Sequence, residues 1–318
     1  MDLSPTHLHL LLNHFPTIGF IIGLGLFVIA LIANSEHLKV GALVVFVGIS
    51  LITIPTYTTG NAAQVALCAV SETGLPGPCV EEGVSRTLIE MHEGAAFVAM
   101  MFMVITGGFA WLALWQLRRF KMIPKWNTVV VLLLSLVTLA TVSGAANLGG
   151  EIRHPEIRVT QETTAQPVAR LVGNYVRDTP WTWIAFETLH FIGLTLIIGV
   201  ILLINLKVFG FLPGVSFSTV DRLLPWAILG FGLNTITGMG FYAAAALTQY
   251  QSNPAFYWKL GFLLAAGINT LIFTFDEGWK NESRATPLHS KALAASSIFL
   301  WVGVMFWGSM LPFIGNAF

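Results

Sequence analysis

Eight continuous apolar runs follow one another along the chain, at approximately 13–33, 39–58, 92–116, 127–149, 181–207, 224–248, 255–275 and 292–314. About 20 apolar residues in a helix cross the roughly 30 Å hydrocarbon layer of a bilayer, so each run predicts one membrane-spanning helix. The runs are unbroken rather than alternating and too long for barrel strands, so the expected fold is an all-α membrane protein. The polar stretch EIRHPEIRVTQETTAQPVARLVGNYVRDTP divides the spans into four and four. This predicts two four-helix membrane bundles, residues 1–155 and 181–318, joined by a connecting loop at 156–180. A connection of that length is usually functional or a linker.

Composition sharpens the class. Of 318 residues, 55% are hydrophobic and only 10% charged, too few polar groups to clothe a water-facing surface. The formal net charge of zero argues against a nucleic-acid partner. The first run has no basic segment before it and no small-residue cleavage site after it, so it is expected to remain in the mature chain.

The distribution of charge says more than its total. With eight spans both termini share one face, here side A, and the connections alternate. Lys39, Arg118, Arg119, Lys121, Lys125, Lys207, Arg222, Lys280, Arg284 and Lys291 fall on side B, four of them in the eight-residue stretch RRFKMIPK. Side A holds Arg86, Arg153, Arg158, Arg170, Arg177 and Lys259, diluted over two longer loops. The excess of positive charge on inner loops makes B cytoplasmic and A periplasmic. The expected location is a bacterial inner membrane, with both termini and the loops 59–91 and 150–180 periplasmic. The only two cysteines, Cys68 and Cys79, lie in the first of these loops, where an oxidising compartment would let them pair. Trp181, Trp183 and Trp258 fit an aromatic belt on side A, and Trp126 and Trp279 one on side B.

Candidate chemistry concentrates at the A-side end of the first four spans. His9 and His14 enter the first span, His92 enters the third, and His154 follows the fourth; His7 is close by. In an up-and-down bundle the first and third helices are diagonal, so two imidazoles at matched depth can approach one iron from opposite faces. His14 and His92 are the expected axial ligands of a haem b, with His9 and His154 as alternates or a second pair. Small residues beside them, Gly94, Ala95 and Ala96 on the third span and Ser143 to Ala146, Gly149 and Gly150 on the fourth, leave room for a flat ring or a close helix contact. Arg153 and Arg158 are candidates to pair with propionates. Copper or zinc is the alternative occupant, with Glu90, Glu93 and Glu151 assisting. A lone histidine near an interface is more often structural; four together shift the reading towards a cofactor, because burying ionisable groups in a membrane is costly.

The first half, roughly 7–160, resembles a family of four-span bacterial membrane proteins known as the domain-of-unknown-function 2231 family. The resemblance rests on His9, His14-Phe15-Pro16, TTG at 58–60, His92 with its small followers, and Gly149-Gly150-Glu151 followed by His154. Members occur joined to Rieske iron-sulfur domains, which implies a redox setting and a b-type haem. This chain has Asn61 where an acidic residue often follows TTG, and a cysteine-bearing insertion after it.

The second half is plainer. His190 lies about ten residues into the fifth span, with Glu187 one turn earlier, and Met239 and Met305 reach similar depth. His190 with Met239 would ligate a second haem; Glu187, His190, Asn234 and Thr237 would otherwise form a polar cluster for proton transfer or quinone binding. The run TGMGFYAAAALTQYQSNPAFYWKLGFLLAAGIN is loosely similar to copper-resistance and b-type cytochrome subunits. The expected function is electron transfer within a respiratory or photosynthetic complex, between a periplasmic or membrane-anchored carrier and quinone or another haem. That makes the protein a subunit rather than a stand-alone enzyme, and no nucleophile-base-orienter set suggests a hydrolase. A metal or solute transporter with a histidine uptake site, and a non-catalytic structural subunit, are the alternatives.

Overall fold

The computed structural model describes residues 4–70, 76–79, 84–154, 158, 168–245, 250, 253–276, 286–311 and 313–314. Eight of its helices are long and apolar enough to cross a membrane, which makes this a multi-pass membrane protein. They run Pro5–Ile32, Glu36–Leu67, Arg86–Phe120, Lys125–Ile152, Pro180–Val208, Phe217–Ala244, Pro254–Phe275 and Leu288–Met310.

The first span starts earlier than its apolar run. The Ser4 hydroxyl accepts the His7 amide and Pro5 opens the first turn, so α1 (Pro5–Leu12) already contains His9. A π-helical turn, Phe15–Gly19, joins it to α2 (Phe20–Ile32). Pro16 has no N–H to give the ladder, and the turn widens around it; such turns gather at functional sites.

The next helix, α3 (Glu36–Leu67), continues past the threonine-rich stretch where its apolar run gives out. Its threonine hydroxyls bond back to the helix itself: that of Thr56 donates to Ile52 O at 2.9 Å, and those of Thr58 and Thr59 to Pro55 O at 3.1 and 2.9 Å. Threonines bonded this way do not end a helix. A two-stranded antiparallel hairpin, β1 (Cys68–Val70) with β2 (Pro76–Cys79), follows directly and pairs Cys68 opposite Cys79. The two form a disulfide that closes a loop of sequence separation 11. Loop entropy puts its contribution at about 3 kcal/mol. The double variant Cys68→Ser/Cys79→Ser is expected to melt several degrees lower in detergent, and reductant to lower only the wild-type melting temperature.

The chain then forms α4 (Arg86–Phe120), α5 (Lys125–Arg153), the short amphipathic α6 (Val168–Asp178) and α7 (Pro180–Val208). It ends with α8 (Phe217–Asp221), α9 (Leu224–Ala244), α10 (Pro254–Phe275) and α11 (Leu288–Met310).

Two compact units emerge, and neither is one uninterrupted stretch. The first comprises Met1–Leu114, Pro124–Ile184 and Met239–Gln251; the second comprises Trp115–Ile123, Ala185–Gly238 and Ser252–Phe318. In the first, Phe46 of α3 meets Phe20 and Phe27 of α2 at ring-centroid distances of 5.1 and 5.8 Å. In the second, Ile197, Ile201, Ala266, Trp301 and Val304 bring α7, α10 and α11 together. There Arg118 is bound to the Asp221 carboxylate and donates to Thr274 O at 2.6 Å, while the Trp115 indole donates to Asp221 O at 3.0 Å.

Candidate functional site

A cavity of roughly 520 Å³ lies within the first unit, walled by α1 and the π turn, α3, α4 and α5. Its size falls in the roughly 300–1,000 Å³ range of small-molecule and cofactor sites. His9, His14, His92 and His154 all line it, as do Tyr57, Asn61 and Glu93.

Two of the four histidines are held in the same way. His9 Nδ1 lies 3.0 Å from Thr56 O on α3, and His92 Nδ1 lies 2.8 Å from Ala145 O on α5. A carbonyl oxygen only accepts, so in both rings Nδ1 carries the proton and Nε2 keeps its lone pair. One helical turn beyond each carbonyl stands a glycine against the ring. A Cβ at Gly60 would come within 2.9 Å of His9 Cε1, and one at Gly149 within 3.1 Å of His92 Cε1. The carbonyl fixes the ring's orientation and the glycine clears its seat. This is the arrangement that orients a metal-binding imidazole, its second nitrogen tied to a backbone carbonyl.

The other two are placed differently. His14 bonds through Nδ1 to Leu10 O of its own helical turn at 2.9 Å and is exposed. His154 is the C-cap of α5, its amide donating to Gly150 O at 3.0 Å, and it too is exposed. Arg153 ends α5, and its side chain lies outside the described residues. Arg158 turns back onto the same helix end, with Nε 2.9 Å from Glu151 O and Nη2 3.3 Å from Ile152 O, where it satisfies carbonyls the helix leaves open.

The carboxylates near the cavity have partners of their own. Glu93 accepts from Asn61 Nδ2 at 3.3 Å. Glu90 is bound by Arg86 at 3.0 Å and Arg170 at 2.9 Å, and Glu151, 1% exposed, accepts from Asn147 at 2.9 Å. Among the described residues no three histidine, cysteine, aspartate or glutamate side chains converge as they would to hold a bare metal ion.

In the second unit, His190 Nδ1 lies 2.8 Å from Thr237 Oγ1. The Thr237 hydroxyl sits 2.7 Å from Leu233 O and has one proton to give, so His190 is the donor between the two side chains. Glu187 is exposed, and Asn234 Nδ2 donates to Gly230 O at 3.2 Å. Met239 is buried and belongs to the first unit.

Comparison with protein-family models, with curated proteins and with solved structures finds no match to this chain.

Proposed function

We propose that the first unit holds one haem b between His9 and His92 and that the protein transfers electrons in a bacterial inner-membrane complex. The observation that carries this reading is the matched setting of the two imidazoles, each with Nδ1 on a backbone carbonyl of a neighbouring helix, its ring against a glycine, and Nε2 left as a ligand. Two neutral nitrogens from two helices are what a porphyrin asks of a protein, since the macrocycle supplies four more. A bare zinc ion needs three or four protein ligands, which is why the two-histidine setting favours haem over zinc. The pair differs from the one that histidine depth alone points to, with His9 in place of His14.

The roles of the surrounding residues follow from their positions. His9 and His92 bind; Thr56 and Ala145 orient them through their carbonyls; Gly60 and Gly149 set how closely the rings lie against α3 and α5. Asn61 holds the Glu93 carboxylate on the cavity wall. A bound haem supplies a one-electron couple. In this reading the two sets of four spans form four-helix bundles, and both termini are periplasmic, an orientation that the lysine and arginine distribution favours. The disulfide fits a periplasmic hairpin. The loops around 59–91 and 150–180 are the docking side for a periplasmic or membrane-anchored carrier, with quinone or another subunit as the second redox partner. The resemblance to the domain-of-unknown-function 2231 family points the same way.

The test is a dithionite-reduced minus air-oxidised difference spectrum of membranes containing the expressed protein. Soret and α bands of a b-type haem are expected, and a flat spectrum from haem-replete cells would overturn the proposal. The same spectra test the glycine seats. Gly60→Ala and Gly149→Ala are each expected to cut haem retention about 10- to 100-fold, as changes in the groups that orient a metal ligand do. Gly144→Ala is the control, because a Cβ there meets nothing within 4 Å.

A further inference from the structure

The second unit contains a small cavity of about 20 Å³, lined mostly by apolar groups such as Ile201, Ile204 and Phe273, into which Asn205 of α7, Asn269 of α10 and the Arg118–Asp221 pair bring polar atoms. By this measure roughly 10–15 Å³ suffices for one water molecule. Asn205 and Asn269 are 2% and 7% exposed, and each has one buried polar atom with no hydrogen-bond partner among the described residues: Nδ2 of Asn205 and Oδ1 of Asn269.

The orientation of Asn269 is set by its surroundings. Its Nδ2 lies 2.7 Å from Ser296 Oγ and 3.3 Å from Leu293 O. The Ser296 hydroxyl is itself 3.0 Å from Leu293 O and spends its proton there, so it accepts from the amide nitrogen. The amide oxygen is therefore the atom without a partner. Leaving a buried amide atom unbonded costs about 1–3 kcal/mol, and here one donor and one acceptor stand on the walls of the same cavity.

We infer that this cavity is a binding site for an ordered water molecule, which accepts from Asn205 Nδ2 and donates to Asn269 Oδ1. The chemistry selects water over an ion. Chloride would face the Asn269 oxygen, and a metal cation would face the Arg118 guanidinium. Only a molecule that both donates and accepts satisfies the two amides at once. The water joins Asn205 of α7 to Asn269 of α10, and it lies in the cavity walled by Arg118 and Asp221. A polar molecule there reduces the desolvation cost of holding that ion pair among apolar helices. The inference is independent of any haem in the first unit.

The experiment is a map of the purified full chain at a resolution that shows ordered water, together with a double-variant cycle read by melting temperature. A density peak within hydrogen-bond distance of Asn205 and Asn269 is expected. Asn205→Leu and Asn269→Leu should each lower the melting temperature, and the double variant should lose clearly less than the sum, because either change alone already removes the bridge. A dry cavity in the map, or strictly additive losses, would overturn the inference. So would stabilisation of the wild type by sodium over choline at equal ionic strength, which would mean that Asn205 turns its oxygen inward and the site takes a cation.

Discussion

His92→Ala and His9→Ala should each yield protein with little or no bound haem, whereas His14→Ala should keep most of it. The expectation rests on how each ring is held. His92 and His9 are tied at 2.8 and 3.0 Å to carbonyls of neighbouring helices, so both rings that line the cavity are fixed in orientation. His14 is tied only to its own helical turn at 2.9 Å. Either alanine also opens space in a cavity of roughly 520 Å³, enough to admit free imidazole. Adding imidazole to His92→Ala during haem reconstitution should therefore recover the six-coordinate spectrum. A histidine that merely brackets the helices would show no such rescue. Retention of full haem in both His9→Ala and His92→Ala, with loss in His14→Ala, would transfer the ligand role to His14.

Asp221→Ala should destabilise the protein by about 3–5 kcal/mol, the usual cost of leaving a buried charge without its partner. Arg118 and Asp221 are each only 9% exposed at the side chain, and Arg118 also bonds Thr274 O at 2.6 Å. Removal of the carboxylate leaves the buried guanidinium in place without the Asp221 charge that faces it. Replacing both residues, as Arg118→Met/Asp221→Leu, should recover much of the loss, because an apolar pair carries no desolvation cost. Unfolding in a graded denaturing detergent measures both variants. A single variant as stable as wild type would show that the pair is solvated in the membrane.

The eight spans were legible because a membrane helix must be apolar along its length, and the chain offers eight such runs and few charges. Their ends were not. The structure carries α3 nine residues past the expected 58, to Leu67, because its threonines return their hydroxyl protons to their own helix, a saving that a polarity pattern does not register. The gathering of four histidines at one cavity was visible from their depth. The pair that matches was not, since depth says nothing about which neighbour receives each ring. A signal did exist: Thr56 and Gly60, like Ala145 and Gly149, stand four apart, one turn of helix, and each glycine leaves room for an imidazole. Pro16 likewise marked an irregular turn in the first span, although the π form it takes depends on the local ladder. The amides of Asn205 and Asn269 lie 64 residues apart in sequence, and only the packing of α7 on α10 brings them to one cavity.

The central claim, one haem held by two neutral imidazoles, is tested most directly by electron paramagnetic resonance of the oxidised, purified protein, with a pyridine haemochrome assay for stoichiometry. The account predicts one haem per chain and a low-spin ferric signal of the bis-imidazole type. A high-spin signal, or protein without haem after expression with ample supply, would contradict it.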